Sequence, residues 1–369
     1  MADKNHNLQL TYNNIKKLKQ HKQVILEDQT CIIPEVKTFP LDTFYKKEQI
    51  ILDPPVPLTT DELIALLKEH HTITFTEEEE TFAQSIIPYA GYGRLSAFAL
   101  NDTPISFTEL FDIYSIDRYL RTSITRLMPS IETVLKNRLS QEIISFENNN
   151  NAFIYENIDS KIWRQNKKDK VKNWLAFSIE TMLDIRNKRP SLSKLFRKYN
   201  GHLPIWILLD NLTFGSISLL LPLLNKDLVF DSSKCLIDAQ PSSIYSLCQG
   251  LVILRNAVYH NSSVLGTTFT YSMKLDEEVE KFIITGFMDI FPEKENTLII
   301  DKTKHFLFVG LLAMKIFYSK LPIPEIDRWN IFISKLDKKI KSHSVIALNL
   351  APRYYFPTNW KNILEIKIS

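Results

Sequence analysis

Residues 105–140 read ISFTELFDIYSIDRYLRTSITRLMPSIETVLKNRLS, and their apolar spacing decides the fold. Leu110, Ile113, Ile116, Leu120, Ile124, Leu127, Ile131, Val134, Leu135 and Leu139, with Ile143 beyond, recur every three or four residues, the period of one helix face. The run predicts one long amphipathic helix from Phe107 to Phe146, or two in line. Pro129 lacks a backbone donor and predicts a kink or restart inside it; the NNNN run at 148–151 ends it.

The same reasoning extends in both directions. Thr59, Thr60, Asp61 and Glu62 supply a capping oxygen and first-turn acids ahead of Leu63, Ile64, Leu66 and Leu67, so a helix starts there. Thr76 before the acids Glu77 to Glu80 opens a second, because carboxylates favour a helix N-terminus. Further helices are expected over about 161–186, 204–223, 241–261, 304–320 and 326–342. Around 264–300 the alternation in FTYSMKL and KFIITGF allows a short β-hairpin insertion, and 345–369 reads as loop. Residues 1–56 form a polar, basic appendage joined through the proline-punctuated stretch DPPVPLTT at 53–60, and 57–369 form the helical domain.

Composition agrees with an all-α protein. Of 369 residues, 44% are hydrophobic and 24% charged, which excludes wholesale disorder and fibrous repeats. Eight glycines are too few for a turn-dense all-β fold, and no Gly-rich phosphate loop is present. Cys31, Cys235 and Cys248 are odd in number and widely spaced, which fits neither a disulfide framework nor a paired-ligand zinc site. No metal and no cofactor are expected. The longest apolar stretch, Leu203 to Leu224, carries Asp210, Asn211 and Thr213 and reads as a buried helix, not a membrane span. With no apolar leader at the N-terminus, the expected compartment is the cytoplasm.

Net charge is only +3, but residues 161–200 hold twelve Lys or Arg against Asp169, Glu180 and Asp184, a local excess of nine positive charges. Such a run is either a solvated helix face or an RNA-facing surface.

The candidate chemistry is LRNAVYHN at 254–261, in which His260 follows Arg255 by five positions at the end of an apolar helix. On an ideal helix five residues turn through about 500°, leaving the two side chains about 140° apart. A compact centre would more easily draw a second Arg and His from another copy, so the spacing points to a homodimer. RNA cleavage needs a group to take the ribose 2′-hydroxyl proton, another to protonate the departing 5′-oxygen, and a cation beside the phosphorane. Two His and two Arg meet that need. The competing reading has Arg255 and Asn256 bracing the helix end, with His260 as a satisfied core side chain. A second Arg–His pair, Arg197 and His202, is interrupted by Asn200–Gly201 and followed by Pro204, which places it in a loop.

Several segments together resemble the abortive-infection (Abi) family of bacterial phage-defence proteins, whose core is a HEPN-type ribonuclease domain. They are PLTTDELIALLKEH at 57–70, GYGRLSAFAL at 91–100, the stretch at 105–140, LPIWILLDNLTFGSISLLLPLL at 203–224, LRNAVYHN at 254–261 and FPTNW at 356–360. The resemblance implies a HEPN-like helical bundle with additional helices, its core over about 107–265, that homodimerises and joins two copies of the motif in one cleft. It implies catalytic Arg255 and His260 oriented by Asn256, in a metal-independent endoribonuclease leaving a 2′,3′-cyclic phosphate and a 5′-hydroxyl. Asp117, Arg118, Arg121, Glu132 and Arg138, with Tyr259 and Asn261, are its candidates for site support or RNA contact; an ion-pair ladder on a helix surface is their alternative. Family members usually carry a second His after the motif His, where this chain has Asn261, Ser262 and Ser263. The implied partners are RNA as substrate and a small structured RNA or antitoxin as restraint. Two further readings stay open: an RNA-binding or sensing module without turnover, and an all-α interaction protein using Leu203–Leu224 as its partner face.

Overall fold

In the computed structural model the described residues are 57–100, 103–148, 150–229, 241–275 and 277–367. The appendage expected over 1–56, with Cys31, lies outside them, as does Cys235. By its internal contacts the chain separates into Met1–Thr59 and Thr60–Ser369, and the account below concerns the second unit. It is mostly helical, as the sequence predicts.

Helix α1 (Thr60–His71) is followed by a two-residue strand, β1 (Ile73–Thr74), and by α2 (Glu77–Ala90) and α3 (Tyr92–Ser96). Strand β2 (Ile105–Ser106) pairs in parallel with β1, Ile73 opposite Ile105. It leads directly into α4 (Phe107–Ser145), the axis of the fold. Two capping boxes fix these starts: Thr76 with Glu79 at α2 and Ser106 with Glu109 at α4, each side chain bonding the other's backbone N–H. A further bond from the Thr108 N–H to Glu79 ties the two starts together.

Helix α4 neither restarts nor ends at Pro129. Carbonyls in the turn before the proline find donors elsewhere: Tyr318 Oη donates to Leu127 O at 2.8 Å, and Arg328 reaches Arg126 O at 3.4 Å. The apolar stripe read from the sequence is the buried face, with Leu110, Ile113, Ile124, Ile131, Leu135, Leu139 and Ile143 all at 0% exposure. At about 25 cal/mol per Å² of apolar surface, such a stripe drives the packing of every neighbour against it.

Next come α5 (Lys168–Lys188), beginning seven residues later than expected from 161, and α6 (Pro190–Lys198). The stretch expected as one helix over 204–223 is two, α7 (Ile205–Asn211) and α8 (Phe214–Leu220). The polar residues in its middle cause the break: Thr213 leaves the helix and accepts from the Ser216 N–H as N-cap of α8. Helix α9 (Pro241–Tyr259) follows, packed between α4, α8 and the buried α12 (Leu307–Tyr318).

The expected β-hairpin is absent among the described residues. Glu277–Thr285 is helix α10, and 269–275 is an extended segment lying across α9. Its alternation is real: Phe269 and Met273 are buried while Thr270, Ser272 and Lys274 face outward. The partner is a helix face in place of a second strand. Lys274 N–H donates to Ser246 Oγ at 2.8 Å, and Gly250 admits Met273, whose side chain occupies the space a Cβ would fill. After α11 (Asn296–Thr303) and α12, helix α13 (Ile323–Lys341) packs on α4. The tail read as loop carries α14 (Ser344–Asn349) and α15 (Trp360–Leu364). Tyr354, Phe356, Trp360 and Leu364 are buried there, and Trp329 Nε1 donates to Leu364 O at 2.7 Å. No described helix is long and apolar enough to cross a membrane.

The N-cap of α8 gives a direct test. Thr213→Ala removes the acceptor for the Ser216 N–H and should lower stability by about 1 kcal/mol, read from the urea midpoint by circular dichroism.

Candidate functional site

The motif occupies the last two turns of α9 and the turn beyond it. Val258 and Leu254 face the core, so Arg255, Asn256, Tyr259 and His260 fall on the side facing away from it. Helix α9 ends in a Schellman turn: Ser262 N–H bonds Ala257 O at 2.9 Å and Asn261 N–H bonds Val258 O at 3.2 Å, with Asn261 left-handed at φ +58°. Asn is among the few non-glycine residues that tolerate this conformation.

That turn is held from α4. Asp117, fully buried, accepts through Oδ1 from the Val264 and Leu265 N–H groups at 2.7 and 2.9 Å, and through Oδ2 from Arg121 Nε at 2.7 Å. Arg121, 6% exposed, then reaches Asn261, donating to its side-chain oxygen and, at 3.4 Å, to its carbonyl. Burial pushes the Asp117 carboxyl above the ordinary carboxylate range, against the pull of the two N–H groups and the guanidinium. These two residues position the turn that follows His260; they do not face solvent.

Roughly three turns further along α4, on the same stripe, stands Glu132. Its Oε1 lies 3.5 Å from Arg255 Nε, yet the contact lacks hydrogen-bond geometry, and both atoms are buried without a hydrogen-bond partner. Arg255 also donates from Nη1 to Asn256 Oδ1 at 3.1 Å and lies over the Tyr259 ring at 4.3 Å. Asn256 thus orients the guanidinium, and Tyr259, 45% exposed, covers one side of it. The His260 backbone N–H closes the helix on Asn256 O at 2.9 Å, while its ring is exposed and makes no hydrogen bond among the described residues. His260 is therefore not a core side chain.

Lys136, one turn after Glu132, was not singled out in the sequence. Its ammonium bonds Leu212 O at 2.8 Å and Asp210 O at 3.2 Å at the end of α7. Burial holds it below the usual lysine range and Arg255 adds to this, while Glu132 and Asp210 oppose. The (i, i+4) spacing from Glu132 was the available signal. Two other candidates stand apart. Arg118 is exposed and donates to Tyr89 Oη at 2.9 Å, and Arg138 is exposed on α4. Of the pair expected in a loop, Arg197 instead lies exposed in the last turn of α6, and only His202 is in the loop, where its Nδ1 meets Glu156 at 2.8 Å beyond the left-handed Asn200 and Gly201.

Two antiparallel helices of this all-α protein are thus joined along a mostly buried polar seam, with the half-buried Arg255 and the exposed His260 at the end of one of them. Residues 88–265, which hold α4, α9 and the turn after it, match the family model described as Abi-like protein, and this supports an abortive-infection family member. No curated protein and no solved structure matches the chain.

Asp117→Ala leaves Arg121 buried without its partner and frees two N–H groups. It should destabilise the helical unit by about 3–5 kcal/mol, the range for breaking a buried pair, read from urea unfolding. Arg138→Ala, on the exposed side of the same helix, should leave the midpoint nearly unchanged.

Proposed function

We propose that this protein is an abortive-infection toxin of the HEPN type: a metal-independent endoribonuclease whose cleft combines Arg255 and His260 from two copies of the chain. The observation that carries the reading is the pairing of a braced guanidinium with a free imidazole. Arg255 is held by Asn256, Tyr259 and the imperfectly paired Glu132, while His260, on the next turn, is exposed with no hydrogen-bond partner among the described residues. A positioned cation suits the charge that develops on a phosphorane, and a solvent-facing imidazole suits proton transfer.

In the proposed step one His260 accepts the proton of the ribose 2′-hydroxyl as its oxygen attacks phosphorus. The second protonates the 5′-oxygen as the P–O5′ bond breaks. The products are a 2′,3′-cyclic phosphate and a 5′-hydroxyl, and Arg255 neutralises the equatorial oxygens between the two events. Its contact with Glu132 is loose enough for an incoming phosphate to compete for the guanidinium. The basic helices α5 and α6, most of whose Lys and Arg are exposed, would gather RNA toward the site.

Expression from a tightly repressed promoter tests this reading. Wild type should arrest growth and create new 5′-hydroxyl RNA ends; Arg255→Ala and His260→Ala should each abolish both while keeping RNA affinity. Arrest that survives both substitutions refutes catalysis by this pair. RNA affinity without new ends in wild type would favour a binding or sensing module.

Sharing of the cleft has its own test. In a heterodimer of a wild-type chain with a His260→Ala chain, the shared cleft keeps one imidazole where the step uses two, so cleavage should fall far below half of the wild-type dimer's. Retention of about half the activity in verified heterodimers would place a complete site in each chain.

A further inference from the structure

On the side of α4 turned away from the Asp117 brace, a groove of about 180 Å³ runs between α4 and α13. Tyr119, Ser123, Arg126, Arg328, Phe332 and Lys335 line it. Lys339 reaches over its rim, with Nζ 5.2 Å from the Tyr119 ring centre. Four cations thus converge on one concavity, and only one of them is neutralised: Arg328 pairs with Glu325 at 2.7 Å. No carboxylate among the described residues pairs with Arg126, Lys335 or Lys339. Elsewhere on the same helix such pairing does occur, since Asp337 takes Lys341 at 2.9 Å and Lys361 at 3.0 Å.

Like charges facing one another across a groove repel, so their convergence without counter-ions raises the affinity of that groove for an anion. The floor is rigid. Phe332 is 5% exposed and stacks on Tyr119 with ring centres 6.1 Å apart, while Arg328 is fixed at the Arg126 carbonyl. Tyr119 Oη donates to Phe332 O at 3.4 Å, so the donors left facing the groove are the guanidinium and ammonium groups with the Ser123 hydroxyl, a mixture that phosphate oxygens take. The volume is below the roughly 300 Å³ at which pockets for whole small ligands begin, so it suits one phosphate with the rest of the molecule outside. Ile331, half exposed at the edge, offers an apolar surface for a sugar or base. Helix α13 also lies wholly outside residues 88–265, so this groove adds a feature that the family match does not describe.

We propose that the α4–α13 groove is a phosphate-binding site that uses Arg126 and Lys335, with Lys339 at its rim, to hold the phosphate of a nucleotide or of an RNA strand. It stands independently of the chemistry at His260, because it lies on the other side of α4 and shares no residue with that seam.

The test uses the full chain and two probes. One is a fluorescent single-stranded RNA with 2′-O-methyl riboses, which has no 2′-hydroxyl to react; the other is ATP, titrated by calorimetry. In Arg126→Ala/Lys335→Ala, removing two phosphate contacts should weaken RNA binding several-fold and flatten the plot of log affinity against log salt by about 1.4, at about 0.7 per contact for a single strand. If the groove takes a free nucleotide instead, wild type should bind ATP and the double variant should not. A charge-matched control, Lys281→Ala/Lys294→Ala, should change neither probe. Both altered residues of the groove are exposed, so thermal melting should stay as in wild type. Unchanged binding of both probes in the groove variant, or an equal loss in the control, overturns the proposal.

Discussion

Everything that distinguishes the motif end of α9 depends on one carboxylate. Asp117 is fully buried, and a charge in that position is tolerable only when its lone pairs are used. Here they are: two backbone N–H groups from the turn after α9 take one oxygen, and Arg121 takes the other. The bonds join residues nearly 150 positions apart in the chain, and they set the register of α9 against α4. Shifting α9 by one turn would strand Asp117, Arg121 and the Asn261 oxygen together. The apolar stripe drives the two helices into contact, but it would be served almost as well by a neighbouring register.

The second polar contact along the same seam is built differently. Glu132 and Arg255 approach to 3.5 Å without a hydrogen bond, and their facing atoms have no other partner. A half-satisfied pair is a poor structural element, because desolvation is incurred and the directional bond is not made. One helix interface therefore holds a satisfied brace at one end and an unsatisfied pair at the other. Departures from full polar satisfaction are tolerated where a protein acts, and in the proposed reading the Arg255 guanidinium is the group that an incoming phosphate would engage.

How much of this was legible follows from the range of each interaction. The period-3.6 stripe of α4 and the capping boxes at Thr76 and Ser106 are local, and the sequence exposes them directly. So is the end of α9, because Asn261 and the two serines after it are helix-stopping residues. The extended strip at 269–275 was half legible: its alternation showed that one side is buried, but alternation cannot say whether a strand or a helix covers it. The break at Thr213 was visible as polar residues in an apolar run, yet only the N-cap shows that it divides two helices. The brace was not legible in its true role. Asp117 and Arg121 at (i, i+4) look like a surface ladder, and nothing in their spacing reveals that the partners are backbone N–H groups far along the chain. Lys136 was hidden for the same reason, its acceptors being two carbonyls at the end of a helix that sequence alone leaves undivided.

The residue after His260 now has a physical explanation. The position must adopt a left-handed conformation to close α9, and it must offer Arg121 an acceptor. Asparagine meets both demands with one side chain. A residue that closed the helix without accepting from Arg121 would leave a buried guanidinium with only one partner. Valine or isoleucine would accept nothing and resist the backbone angle. Asn261 therefore belongs with Asp117 and Arg121 as part of the support of this turn. It fixes the chain immediately after His260, whose exposed ring makes no hydrogen bond among the described residues.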